Sequence, residues 1–168
     1  MAKKKLTTTI VMSELLYDIE NTTSLTGIAR RNGTNFEEVA GMQVNADEEN
    51  LNQILRSIKK AMSDMKVQLS EWIDETGTTS NNVLQENKDI VVALNLPSNY
   101  DEAANDAIAE NIHEYLSSTA IAEWFQITNK SDAKDYFDNA TACIIAIRMA
   151  INSRKRPVRP AVSEDTGV

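Results

Sequence analysis

Between residues 51 and 73, Leu51, Ile54, Leu55, Ile58, Met62, Met65, Leu69, Trp72 and Ile73 recur at steps of three and four. Side chains spaced this way share one face of a helix, so the segment predicts an amphipathic helix about seven turns long. Arg56, Lys59, Lys60 and Lys66 fall off the stripe. Asn45, with Glu48 three residues on, reads as its capping box, and Asp47, Glu48 and Glu49 suit the positive end of the helix dipole. Glu75 to Asn82 reads as a turn-rich loop that ends it.

The second half of the chain repeats this grammar. Asn99 with Glu102 opens a helix whose inward face is Ala104, Ile108, Ile112, Tyr115 and Leu116. A short helix carries Ile121, Trp124 and Phe125. Asn129 with Asp132 opens the last one, with Ala133, Tyr136, Phe137, Ala140, Ile144, Ile147 and Ile151 as its stripe. Two runs break the helical pattern. Residues 4–12 and 88–96 are rich in β-branched side chains, and Pro97 stops the second. Pairing them gives a small ribbon, which must pack on helices or on another subunit because a lone ribbon is marginal. Ser13 reads as the cap of a brief helix that stalls in Asn21-Thr-Thr-Ser24. From Leu25 to Asn45 neither period is sustained, and Gly27, Gly33 and Gly41 punctuate the run, so residues 22–45 read as a long loop or arm.

The expected fold class is therefore mainly α: a helical bundle with a small two-stranded β element and extended arms. Residues 1–153 form one helical domain, and residues 154–168 a basic, proline-containing tail. A chain of 168 residues suffices for this, since it buries roughly 70% of its unfolded surface. The longest apolar run, Ala142 to Ile147, is far below the roughly 18 residues that span a bilayer. No membrane is expected, and the reading is a soluble intracellular or particle-associated chain.

Charge is unevenly placed. The formal net charge is −8, yet Lys3 to Lys5, Arg154, Lys155, Arg156 and Arg159 hold seven of the 17 basic residues. A body so acidic repels phosphate backbones, and nucleic acid is open to it only through the tail. Prolines 157 and 160 hold that tail extended. Three readings remain for it: a solubilising end that complements the dipole of the preceding helix, a nucleic-acid contact, or a strap docking on the acidic body of a second copy.

Few catalytic arrangements are open. A Ser-His-Asp or Cys-His site has to use His113, the one imidazole, which lies mid-helix beside Glu110 and Glu114 and reads as a structural histidine. Glu110 and His113 match the Glu-x-x-His spacing of di-iron bundles, but a second copy of the motif is missing. Asp47 to Glu49 and Asp101-Glu102 lack the spaced ligands of a calcium loop and read as solvated helix starts. Cys143, flanked by Ala142 and Ile144, reads as a buried inert thiol. No cofactor is expected, and no enzyme.

The residues left over are Leu94-Asn-Leu-Pro97-Ser-Asn-Tyr100, Ile121-Ala-Glu-Trp124-Phe125, Ala133-x-x-Tyr136 and Arg154-Lys-Arg-Pro157-Val-Arg-Pro160. Their order resembles small virion proteins of tailed phages and prophages of gut bacteria, crAss-like phages among them, of the head–tail connector, neck or ring class. The resemblance covers about residues 88–160, with an echo in Leu16 to Asn21 and Leu25 to Gly27. It implies a virion subunit that forms a cyclic homo-oligomeric ring on the portal–tail axis, touching portal, adjoining ring or tail proteins. Unpaired β edges, basic ends and an acidic body suit head-to-tail contacts. Arg30, Arg31, Arg154, Lys155, Arg156 and Arg159 are the expected interface residues. The helices at 46–74 and 131–153 would be the scaffold. The alternative is a small helical regulatory or nucleic-acid-associated protein that uses its basic tail.

Overall fold

A computed structural model describes residues 3–45, 47–75, 81–84 and 87–158. In chain order they form β1 (Lys4–Ile10), α1 (Met12–Ala29), α2 (Phe36–Met42), α3 (Glu48–Gln68), β2 (Ile90–Leu96), a 3-10 turn at Glu102–Ala104, α4 (Asn105–Thr128) and α5 (Lys130–Ile151). The expected mainly helical bundle with one two-stranded ribbon is what the chain adopts. β1 pairs antiparallel with β2, from Lys4 against Leu96 to Ile10 against Ile90. This register puts Thr8, Ile10, Val92, Leu94 and Leu96 on the buried face, as a period of two requires.

α3 confirms the long stripe over most of its length, with Ile54, Leu55, Ile58, Ala61 and Met65 buried. It starts after Asp47 rather than Asn45, and it stops at Gln68. Trp72 and Ile73 therefore leave the helix. Asp74 N–H donates to Ala93 O at 2.9 Å, and Asn95 N–H donates to Trp72 O at 2.7 Å. Backbone bonds to the outer edge of β2 replace the helical ones, while Leu69 stays in the core and Trp72 and Ile73 pack against it. The loop that follows lies partly outside the described residues.

α4 corrects the expectation of two helices. It runs 24 residues without a break, with the Ser117-Ser118-Thr119 run accommodated inside it. Ser117 Oγ donates to Glu114 O at 3.1 Å and Thr119 Oγ1 to Tyr115 O at 2.7 Å. Ser118 Oγ donates to the Glu114 carboxylate at 3.1 Å. Each hydroxyl finds an acceptor one turn back, so small polar residues pass through the core satisfied. Asn99 is not the cap. Asp101 accepts from Ala103 N–H at 3.2 Å and starts the 3-10 turn instead.

Residues 22–45 are not an arm, and no stall occurs at Asn21 to Ser24. α1 continues to Ala29, because Thr23 Oγ1 donates to Ile19 O at 2.9 Å and Thr26 Oγ1 to Thr22 O at 2.8 Å. Thr23 also accepts Val44 N–H at 3.2 Å, which ties the segment after α2 back onto α1. Gly27 makes the close approach of α2 possible: a Cβ there would lie 3.2 Å from Val39 O. Gly33 turns the chain at φ 89°, where other residues are strained. Val39, Met42 and Val44 are then buried, each contributing about 1.5–3 kcal/mol. Tertiary packing overrides the weak local pattern here.

Candidate interaction surface

The basic residues proposed as contacts gather at the two ends of α5. With 22 residues at about 1.5 Å each, that helix separates the two groups by about 33 Å.

At its start, Arg30 follows α1 and reaches Asp132. Its Nε donates to Asp132 Oδ2 at 3.0 Å, and its Nη2 donates to Oδ1. Asp132 is buried, and Asn129 Nδ2 donates to it at 2.6 Å. The hydrogen bond from Arg30 holds the Asp132 carboxyl below its ordinary range against the opposing effect of burial, and Asn129 adds to it. The same bond holds the Arg30 guanidinium above its own. A two-pronged contact of this kind fixes geometry as well as charge. Arg30 thus clamps the end of α1 to the start of α5, and a partner that took it would leave a buried carboxylate uncompensated. Arg31 is different. Its guanidinium lies 5.4 Å above the ring of Phe36, itself exposed.

At the far end, Arg154 closes α5. Its Nη1 donates to Ile151 O at 3.0 Å and Ser153 O at 3.2 Å, supplying donors and positive charge where the helix carbonyls run out. The backbone there is stitched to the turn after β2. Asp101 N–H donates to Ser153 O at 3.2 Å, and Lys155 N–H to Asn99 O at 3.0 Å. Lys4 Nζ donates to Glu102 at 2.6 Å, and Lys155 Nζ lies 4.0 Å from the same carboxylate. The Lys4 hydrogen bond, then the charge of Lys155, holds the Glu102 carboxyl down. Residues 154 and 155 therefore belong to the body rather than to a free tail. Arg156 is exposed, and Arg159 lies outside the described residues.

The other candidates have packing roles. His113 Nε2 sits 2.7 Å from Asp18 Oδ2, linking α4 to α1. Cys143 is buried, and burial, then the charge of Glu114, pushes its thiol up, away from the reactive thiolate. Phe125 and Tyr136 meet edge to face at 5.5 Å across the α4–α5 pair. Trp124 Nε1 donates to Met42 O at 2.8 Å. The motif residues that carry the resemblance are thus mostly core. Asn99 and Glu102 were read as a capping pair, and nothing local could tell that both face Lys155, more than 50 residues later. Asp132 was read as a cap partner of Asn129, which it is, but its bond to Arg30 spans 102 positions.

No protein-family model, no curated protein and no solved structure matches the chain.

Proposed function

We propose that the chain is a structural subunit of a tailed-phage virion, of the head–tail connector or neck class, that closes into a ring around the portal–tail axis. One observation supports this reading most. The Leu94 to Tyr100 segment and the Arg154 segment, two parts that carry the resemblance, are joined at one end of the molecule by the Tyr100–Arg154 bridge and its flanking backbone bonds. Residues far apart in the chain thereby build one end, about 33 Å from the Arg31–Phe36 corner. A subunit with unlike ends about one helix apart suits head-to-tail contacts, in which one surface meets a different one on the next copy. Arg31 and Arg156 are exposed basic residues at those ends.

The test is light scattering coupled to size exclusion, with negative-stain microscopy of the same fractions. A ring of one fixed subunit number is expected, and Arg31→Glu combined with Arg156→Glu is expected to open it. A chain that stays below trimer size at all concentrations, with and without co-expressed portal, overturns the reading. The alternative, nucleic-acid binding through the tail, predicts a DNA affinity that falls steeply with salt and whose slope shrinks when Arg156 and Arg159 are replaced.

A further inference from the structure

Among the described residues, β1 has one satisfied edge and one free edge. Ala93 O and Asn95 N–H point away from β1, toward residues 72–74, so the backbone groups of Leu94 point toward β1 and its partner Leu6. Alternation then directs the N–H and C=O of Lys5, Thr7 and Thr9 outward from the other edge. Among the described residues these groups have no partner. β2 has its outer edge covered by the Ile73 bridge, and among the described residues β1 has no such cover. A row of free donors and acceptors seven residues long is a template for another strand.

The flanks of this edge carry opposite charge. Lys3, Lys4 and Lys5 stand at its start, where Lys4 and Lys5 meet Glu102 and Asp74 and Lys3 is exposed. At its end an open groove of about 640 Å³ runs between Thr9, Val11 and α4, walled by Glu14, Asp18, Glu110 and Glu114. Those carboxylates face one imidazole, His113. A parallel strand of the same sequence would set acid against acid and amine against amine. An antiparallel one sets each lysine end beside the other copy's acidic groove.

We infer that the free edge of β1 takes the β1 edge of a second copy, antiparallel about a two-fold axis at Thr7, making a continuous four-stranded sheet. Thr7 then faces Thr7 of the second copy, and Lys5 faces Thr9. The pairing supplies about six backbone hydrogen bonds. The contact is isologous and stands apart from the head-to-tail contacts of the ring.

Sedimentation velocity over a concentration series, on the full chain carrying Arg31→Glu and Arg156→Glu so that no ring contact is read, tests this. Thr7→Lys sets two ammonium groups opposite each other on the axis, and its side chain points to solvent within the monomer. Thr7→Pro removes an N–H that β2 does not use. Both are expected to weaken the dimer at least tenfold while circular dichroism stays that of the wild type. A charge swap identifies the occupant. Lys3→Glu with Lys5→Glu gives a copy acidic at both ends, and Glu14→Lys with Glu110→Lys one basic at both ends. On this ring-opened background each alone is expected to be monomeric, and their mixture to form a one-to-one heterodimer. A monomeric ring-opened parent chain, a dimer indifferent to Thr7→Lys, or an unpaired mixture overturns the inference. So does a dimer lost when residues 159–168 are removed, which would make the tail the occupant. Because Arg31 and Arg156 lie outside this edge, loss of the ring and loss of the dimer are separately readable.

Discussion

α3 and α4 are of similar length, yet they relate to the core in opposite ways. α3 buries one stripe and leaves the rest to solvent, with Val67 75% exposed. α4 from Tyr115 to Ala122 is buried on every side, because α1, α2, α3, α5 and β1 all pack against it. A helix with one covered face must alternate polar and apolar residues, and its period survives in the sequence. A helix at the centre has no solvent face, so small and hydroxylated residues replace the period. Ala120 and Ala122 allow neighbours to approach, and Ser117, Ser118 and Thr119 satisfy themselves within the helix or on α5, where Asn139 Nδ2 reaches Ser118 Oγ at 2.8 Å.

This contrast can be broken or sharpened by substitution. Phe125→Ala in α4 removes a fully buried ring that Tyr136 packs against, and is expected to cost about 3–5 kcal/mol in urea unfolding. A smaller loss would mean that α4 is less tightly surrounded than its burial implies. Ala120→Leu adds volume at a site with no exposure and is expected to cost about 1–3 kcal/mol through overpacking. Were it neutral, the centre of the bundle would hold slack.

The clamp beside α4 gives a pH prediction. Asp132 has its carboxyl held below the unfolded value of about 3.9. Its charge therefore contributes stability above that pH, and the contribution is lost as pH falls through the folded value. Thermal melts between about pH 6 and pH 2.5 are expected to show a shallower acid limb for Asp132→Asn than for the wild type. Glu102 and Asp74, both held down by lysines, keep part of the slope. An unchanged limb would show the clamp to be absent in solution. Val67→Lys on the solvent face of α3 is expected to move the melting temperature least, within about 0.5 kcal/mol of neutral.

The legibility of the chain follows the same division. The α3 stripe, both strands and the stripe of α5 were readable because each has one covered face. α1 beyond Asn21 was not, since Thr22, Thr23 and Thr26 look like turn residues until the Thr23 and Thr26 hydroxyls are seen bonding back into the helix. α2 was not either: seven residues give no period, and only Gly27 opposite Val39 explains why it docks. Of the basic residues, Arg31 and Arg156 are exposed as a surface role requires, whereas Arg30 and Arg154 serve the fold. Their partners, Asp132 and the last carbonyls of α5, are fixed by how helices end and meet.

By itself the sequence determined where apolar faces of fixed period lie, and with them the helical class and the ribbon, because those patterns are local and a chain must bury them. Only the tertiary structure decided which helix sits at the centre, which charges are neutralised inside the molecule, and which strand edge is left open. Those outcomes depend on residues dozens of positions apart arriving at one place, and no local pattern encodes that distance.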